Sequence, residues 1–294
     1  MSITKYQIFL KTAACGSFSK AAEAMNFTQS GISHAINSLE SELGVTLLSR
    51  NRGGVVLTAD GRALLPQIEK LCAAHHTMMQ TVESLKGMDS GLVKVATFSS
   101  VSFLWLPRIL KSFGQIYPNI EFEVITGDYY EQIESWIVSG AVDCGFFRLP
   151  STKHLQTYPL YRDELQVVVP CDHVYAQEDP FPASELAEEP FILLEEGEDY
   201  EIMAAFDKLG IRPHVKYTAR EDRTILAMVS EGLGISLLPR LMVSHSPLPV
   251  QVCRAPLQFD RTIGIGVKDE KALSKSTRLF VDYVRTWVAE NGDK

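Results

Sequence analysis

Apolar and polar side chains alternate with helical spacing between residues 27 and 43, and this pattern predicts a helix with two different faces. One face is apolar, and its residues are Ile32, Ala35, Ile36, Leu39 and Leu43. The other face carries short neutral side chains that donate and accept hydrogen bonds, namely Gln29, Ser30, Ser33, His34 and Asn37. Thr28 is a suitable N-cap. Solvated helix faces are usually rich in Lys and Glu, so this neutral face indicates contact with base edges and phosphates, with plain solvent exposure as the alternative.

The patterns on either side of this helix predict a winged helix-turn-helix. They are two helices at 5–14 and 19–24, and two strands at 45–48 and 55–58. A basic tip with two glycines joins the strands, and its Arg50 and Arg52 can reach phosphate or the minor groove. Ser17 and Ser30 are candidates for phosphate contact or for capping of the local backbone.

A heptad pattern follows at residues 62–86. Its apolar positions alternate four and three residues apart and are Leu64, Ile68, Leu71, His75, Met78, Val82 and Leu85. A helix with such a seam cannot bury it alone, so the pattern predicts a homodimer in which the same helix of two subunits pairs. Two recognition helices would then meet the two half-sites of an inverted repeat.

Strand and helix patterns alternate over the remaining two thirds of the chain. The strands are predicted at 92–97, 120–126, 142–147, 165–169, 191–194, 215–218, 235–238, 249–256 and 262–267. The helices are predicted at 103–117, 130–138, 200–209, 222–230 and 274–290. Such alternation implies parallel sheets. A crossing near 161–164 and a return near 249–267 divide this segment into two lobes.

Charge is unevenly distributed along the chain. The net charge is −8, with 28 Lys and Arg against 36 Asp and Glu. Residues 1–62 hold six basic and four acidic side chains, so the rest of the chain holds 22 basic and 32 acidic ones. This asymmetry suggests a small domain that faces phosphate, attached to a larger acidic domain that does not.

The first 61 positions contain an ordered set of residues that consists of Phe9, the run Gly-Ser-Phe-Ser-Lys-Ala-Ala at 16–22, Thr-Gln-Ser at 28–30, Ser33, Leu39, Glu40, Leu43, Gly44, Leu47, Arg50, Leu57, Thr58 and Gly61. This set resembles the N-terminal signature of LysR-type transcriptional regulators. It departs from the family at Ser49, where Phe is common, and at His34, where Arg or Gln is more usual. Gly232 to Ile235 with Leu238-Pro239 are similar to the effector domain of the same family.

The resemblance implies an α/β protein with three parts. These are an N-terminal winged helix-turn-helix at 1–62, a long dimerising linker helix at 63–87 and a two-lobed, periplasmic-binding-protein-like (type 2) effector domain at 88–294. Lobe 1 would comprise 91–161 and 268–294, and lobe 2 would comprise 162–267. The function implied is sequence-specific DNA binding under the control of a small molecule.

The family's pocket, and the rule that ligands lie beyond the carboxyl ends of strands, identify candidate effector-binding residues. They are Ser99, Ser100, Val101, Thr126, Gly127, Phe147 and Arg148 in the first lobe, and Glu198, Tyr200 and Arg220 in the second. Serines at a helix start suit a carboxylate or another oxygen-rich group, so a polar or anionic effector is expected. Helix capping by Ser100 and a surface ion pair of Arg148 are the alternatives.

The expected partners are an operator of double-stranded DNA with an inverted repeat, the effector, and further copies of the chain. A homodimer through the linker helix, assembling into a homotetramer, is expected, and RNA polymerase is a further candidate partner. No apolar run approaches the ~18 residues of a membrane span, and the N-terminus has no secretory leader. A cytoplasmic protein is therefore expected.

Enzymatic, metal and cofactor chemistry find no support. Five scattered cysteines contain no Cys-x-x-Cys pair, and no zinc-protease, phosphate-loop or hydrolase motif occurs. No catalytic residue, cofactor or metal site is predicted. The rivals are a two-lobed solute-binding protein and an α/β enzyme. A regulator that responds to no small ligand is a third alternative, which bulky side chains in the cleft would favour.

Overall fold

The computed structural model describes residues 2–51, 53–85, 90–195, 201–244 and 246–292. Its N-terminal part consists of three helices, α1 (Ile3–Cys15), α2 (Phe18–Met25) and α3 (Gln29–Leu43). They share one small core, whose fully buried side chains include Phe9, Ile32 and Leu39. A left-handed residue follows each helix and turns the chain, Asn26 between α2 and α3. The predicted helix-turn-helix is confirmed.

The wing is an antiparallel hairpin of β1 (Leu48–Asn51) and β2 (Gly54–Leu57). The prediction of a first strand at 45–48 is wrong, because the strand begins at Leu48 and runs through Arg50. The amides of Leu47 and Leu48 instead donate to Glu40 Oε1 at 2.6 and 3.0 Å, which ties them to the end of α3. The amide of Val55 donates to the carbonyl of Gly16 at 2.9 Å and fixes the wing against the helices.

The linker helix is α4 (Ala59–Leu85). It begins three residues before the predicted start, because Thr58 Oγ1 accepts the amide of Gly61 at 2.9 Å and caps the first turn. The boundary expected between residues 62 and 63 therefore falls inside a continuous helix. Leu71, Met78, Met79 and Val82 are exposed along its outer side.

The first lobe is a sheet covered by helices. In chain order its elements are β3 (Gly91–Thr97), α5 (Ser99–Leu104), α6 (Leu106–Ile116), β4 (Ile120–Thr126), α7 (Tyr130–Ser139) and β5 (Cys144–Leu149). The single helix predicted at 103–117 is two helices, α5 and α6, broken at Trp105 because Pro107 lies in the first turn of the second. β3 pairs in parallel with β4 and β5.

The second lobe lies between two long crossing strands. The strands are β6 (Gln156–Pro170) and β11 (Asp260–Val267), and between them are α8 (Glu185–Glu188), β7 (Pro190–Leu194), α9 (Glu201–Leu209), β8 (His214–Ala219), α10 (Asp222–Ser230), β9 (Ser236–Pro239), α11 (Arg240–Val243) and β10 (Val250–Arg254). The closing helix α12 (Lys275–Asn291) packs back on the first lobe. Phe181, Phe191 and Phe206 fill the second core.

The sheets are mixed, so the prediction of parallel sheets is confirmed for the pairs β3–β4, β3–β5 and β7–β8 and is wrong for the strands around β6 and β11. β11 runs antiparallel to both β5 and β6, and β10 and β9 run antiparallel to β6. The strand order is β10-β6-β11-β5-β3-β4, so β6 and β11 join the lobes. Ile263, Ile265 and Val267 of β11 pack in the first core, whereas the sequence division put residues 162–267 in lobe 2.

Candidate DNA-binding face and effector cleft

The outer face of α3 presents the polar side chains that the sequence singled out. Gln29, His34 and Asn37 are exposed, and Ser33 is half-buried. The outer face bears no charge at these positions, so its hydrogen-bonding groups are available to base edges. Ser19 Oγ of α2 donates to Gln29 Oε1 at 3.2 Å across the helix-turn-helix.

Three hydroxyl candidates are engaged with the backbone or with each other. Thr28 Oγ1 accepts the amide of Gly31 at 3.1 Å, and Ser30 Oγ lies 3.1 Å from Thr28 Oγ1. Ser17 Oγ accepts the amide of Lys20 at 3.4 Å and caps α2. Thr28 and Ser17 therefore act as helix caps here.

Arg50 in β1 lies between the wing and the recognition helix. Its guanidinium carbon is 4.5 Å from the ring centroid of Phe18, and its Nη2 donates to Ser33 Oγ at 3.4 Å. These two contacts hold an exposed cation beside the neutral face of α3. Arg52, the other candidate of the wing, lies outside the described residues.

An apolar groove runs between α1 and the linker helix. It has a volume of about 500 Å³ and is lined by Ile3, Tyr6, Leu71, Ala74, His75 and Met78. Leu71 is 46% exposed and Met78 is 54% exposed. Large apolar side chains at that exposure, in line along one helix, are typical of a surface that another helix covers.

In the first lobe, two of the candidate serines are held by partners that the sequence did not predict. Ser100 is fully buried, and its Oγ accepts a hydrogen bond from Arg261 Nη2 at 3.0 Å. Ser99 is exposed, and its Oγ donates to Asp222 Oδ2 of the second lobe at 3.0 Å. Neither serine caps its helix with its side chain.

Arg261 connects the two lobes through a buried network. It donates to Asp163 Oδ2 from Nε at 3.1 Å and from Nη2 at 2.9 Å, and to the hydroxyl of Tyr130 at 2.8 Å. Asp163 Oδ1 accepts the amide of Leu241 in the second lobe at 2.9 Å. Arg261 is 4% exposed and Asp163 is completely buried, so each charge depends on the other for compensation.

Asp222 begins α10 and is 5% exposed. Burial raises the pKa of this carboxyl above its usual value, while the charge of Arg261 and the hydroxyl of Ser99 lower the pKa by less. A rule that places ligands after strand ends could have found Asp222, because it lies three residues after the end of β8. Asp163 and Arg261 have no such local signal, since they lie 98 residues apart and meet only across β6 and β11.

The other effector candidates divide between the cleft and the core. Val101 and Phe147 are fully buried among first-lobe side chains, and Gly127 is buried beside Ile133, so these residues are closed to a ligand. Thr126 is exposed at the end of β4.

Arg220 is exposed, and its Nε donates to Glu195 Oε2 at 3.2 Å, so it forms an ion pair within the second lobe. Glu198 and Tyr200 lie outside the described residues.

Between the lobes, on the side of β5 and α9, lies an open cavity of about 340 Å³. Arg148, Lys208, Phe259 and Arg261 contribute to its lining. Lys208 was not predicted; its Nζ lies 5.5 Å from the ring centroid of Phe259. The volume is within the range of small-molecule sites, and the cations suit an anionic group.

The described residues contain no group of three or more His, Cys, Asp or Glu side chains that could hold a metal ion. No described helix is long and apolar enough to cross a bilayer.

Comparison with known proteins covers both parts of the chain. The family model "Bacterial regulatory helix-turn-helix protein, lysR family" matches residues 3–62, and "LysR substrate binding domain" matches residues 86–289. Over 288 residues the chain is 31% identical to the uncharacterized HTH-type transcriptional regulator YvbU of Bacillus subtilis (strain 168), covering 97% of this chain and 98% of that protein.

Two further matches extend over the full length. The probable HTH-type transcriptional regulator LrrA of Synechococcus elongatus is 32% identical over 300 residues, with 99% and 98% of the two chains covered. The crystal structure of full-length CbnR complexed with its target DNA aligns with a TM-score of 0.72 at 21% identity, over 97% of this chain and 99% of that one. At this identity the structural match shows a common fold.

Proposed function

Because the chain belongs to the LysR family of DNA-binding transcriptional regulators, we propose that α3 and the wing bind an operator while a small acid between the lobes controls transcription. The family consists of regulators with an effector-binding domain, and this chain is therefore a regulator and not an enzyme. Regulators of this family bind operator DNA and small effectors and form oligomers. A protein that acts on the chromosome works in the cytoplasm, which is the localisation we propose.

The observation that carries the DNA-binding assignment is the arrangement of Gln29, Asn37 and Arg50. The two amides project from the neutral face of α3, where they can read base edges. Arg50 is anchored beside them, where a phosphate contact would fix the register of the helix in the groove. In this assignment the bases are contacted by Gln29, Ser33, His34 and Asn37. The sugar-phosphate backbone of the DNA is contacted by Ser17, Thr28, Ser30, Arg50 and Arg52.

The exposed groove between α1 and α4 supports a homodimer through the linker helix. Burying Leu71 and Met78 against the same helix of a second copy would remove two large apolar side chains from water. A two-fold dimer would present two recognition helices to an inverted repeat. We propose further assembly into a tetramer and contact with RNA polymerase as parts of the same function.

The cavity between the lobes supports an anionic effector. Arg148 and Lys208 bring two cationic side chains to its walls, and Phe259 offers an apolar surface. An acid that binds both lobes would change their relative position only if it binds one arrangement more tightly than the other. Ser99 and Thr126 are exposed at strand ends of the first lobe, and the proposed site includes them.

Mapping of genomic binding sites with the purified full-length protein tests the proposed function. We expect enrichment of short inverted repeats, with half-sites about one or two helical turns apart. Absence of any enriched sequence, together with affinity that does not depend on sequence, would contradict the assignment.

A second candidate is a regulator that responds to no small molecule. The stacking of Arg223 on Phe103, with the guanidinium carbon 3.3 Å from the ring centroid, favours it, because two bulky side chains meet between α10 of the second lobe and α5 of the first. The open cavity beside Lys208 favours the effector instead. Failure of every metabolite fraction to change operator affinity would decide for the second candidate.

A further inference from the structure

The start of α10 bridges the two lobes at one end of the cleft. Asp222 accepts the hydrogen bond of Ser99, and the neighbouring Arg223 lies on the ring of Phe103. Ser99 and Phe103 both belong to α5 of the first lobe. The chain's own carboxylate therefore stands at the hydroxyl that a bound acid would otherwise be expected to use.

The buried charges around Ser99 do not cancel. Asp163 and Asp222 are both buried, and Arg261 is the buried cation between them. Arg261 makes its hydrogen bonds to Asp163, Ser100 and Tyr130, so it compensates Asp222 only through space. Burial raises the pKa of Asp222 more than the charge of Arg261 lowers it, so Arg261 does not fully stabilise this buried carboxylate. A second carboxylate brought to Ser99 would face the carboxylate of Asp222 and be repelled by it.

The other end of the cleft has the opposite character. Arg148 lies in β5, and β5 is hydrogen-bonded to β3, the strand that precedes Ser99. Arg261 joins the two ends, because it lines the cavity together with Arg148 and Lys208 and its Nη2 donates to Ser100 Oγ, next to Ser99 in the chain. One ligand can meet a cationic end and an anionic end at the same time.

From this polarity we infer that Asp222 determines effector specificity and that the effector is a small amino acid or hydroxy acid. This inference rests on the proposed effector site. The carboxylate of the ligand binds at Arg148 and Lys208, and its ammonium or hydroxyl donates to Asp222 beside the exposed Ser99. A carboxylate can accept about four hydrogen bonds, so Asp222 can retain the hydrogen bond from Ser99 and also accept one from the ligand. An ammonium also restores the local charge balance.

Matched acids on one carbon skeleton test the inference. Binding of butanoate, 2-hydroxybutanoate, 2-aminobutanoate and 4-aminobutanoate, and of the same derivatives of hexanoate, is measured by calorimetry with the full-length protein. For the wild type we expect at least one amino or hydroxy derivative to bind about tenfold more tightly than its plain acid, as a hydrogen bond to a charged group allows. Asp222→Asn should remove most of the amino preference. Glu221→Gln, which neutralises the exposed neighbouring acid, should retain it.

Three outcomes separate the inference from the proposed site. Plain acids that bind as tightly as their amino derivatives, or a preference unchanged by Asp222→Asn, would overturn the inference, while weaker binding in Lys208→Ala would still support the site. If neither Asp222→Asn nor Lys208→Ala changes the affinity for the acids, the result would contradict the proposed site itself. A panel with no binding member would overturn the ligand class. If Asp222→Asn does not fold, Ser99→Ala serves instead, because it keeps the charge and should keep the amino preference.

Discussion

The guanidinium of Arg50 lies 4.5 Å from the ring centroid of Phe18, so a cation of the wing is held by an aromatic residue of the helix-turn-helix core. Phe18 is buried while Arg50 is exposed, and Ser33 on the recognition helix adds a hydrogen bond at 3.4 Å. Cation–π contacts at exposed sites contribute about 0.5–1 kcal/mol. The contact therefore restricts where the cation stands when DNA arrives.

Arg50→Ala should weaken binding to all DNA sequences by a similar factor, because a phosphate contact carries no base information. The slope of log affinity against log salt concentration should fall by about one unit in magnitude. Fluorescence anisotropy at several salt concentrations measures both quantities. Lys111→Ala, an exposed cation on α6, is the control and should change neither; an unchanged slope for Arg50→Ala would exclude the phosphate contact.

Gln29→Ala and Asn37→Ala should each reduce specificity. We expect a loss of about 1–3 kcal/mol for the operator and little change for unrelated DNA, since base-edge contacts carry discrimination. Competition between operator and random duplex at matched salt gives the difference. Gln115→Ala on α6 is a control of the same chemistry, and equal operator affinity of the double variant and the wild type would contradict the assignment.

Leu71→Asp with Met78→Asp should separate the subunits, because charges would be buried in an apolar interface. Sedimentation velocity should show a smaller species, and operator affinity should fall with it. Gln67→Asp adds a charge at an exposed polar position of the same helix and should leave the assembly intact. A variant that keeps the wild-type sedimentation would mean that this groove is not the interface.

Arg261→Met should destabilise the protein by about 3–5 kcal/mol, because it leaves the buried carboxylate of Asp163 without its partner. Urea unfolding followed by circular dichroism measures the loss. Arg162→Met breaks the adjacent but largely exposed pair with Asp260, so its effect should stay within about 1 kcal/mol. Similar losses in the two variants would mean that burial of the Arg261 pair has little energetic weight.

The raised pKa of Asp222 predicts a pH-dependent difference between wild type and Asp222→Asn. A carboxyl whose pKa is higher in the folded state binds its proton more tightly there. The folded state therefore becomes relatively more stable as the pH falls from 7 towards the pKa of the unfolded carboxyl, about 3.9. The stability of wild type relative to the variant should therefore increase over that range. Urea midpoints at pH 7 and pH 5 test the sign, and a decrease would exclude the raised pKa.

The sequence predicted the helix-turn-helix well because its information is local. Thr28, Gly44 and the apolar stripe of α3 act within one or two turns, and each could be recognised from spacing alone. The first strand of the wing was predicted too early in the sequence, because Glu40 binds the amides of Leu47 and Leu48. That contact joins separate elements. Apolar spacing cannot distinguish such anchored residues from a strand.

The cleft was only partly predictable, because its chemistry depends on distant pairs. The strand-end rule identified Ser99 and Arg148, but it could not show that Ser99 meets Asp222, which lies 123 residues further along the chain. Phe147 follows the same rule and turns into the core, since alternate residues of a strand face opposite sides. The side of β5 that faces the cleft depends on its pairing with β11, a strand that returns from the second lobe.

The continuous helix from Ala59 to Leu85 also acts as a lever arm. Its 27 residues span about 40 Å, and near its middle Ala73 and His76 lie against Gly140 and Asp143 of the first lobe. A tilt of about 10° at that point would displace the end at Ala59, about 20 Å away, by roughly 3.5 Å, which is close to the rise of one base pair. A rotation of the lobes too small to alter their cores would thus be amplified into a shift of register on DNA.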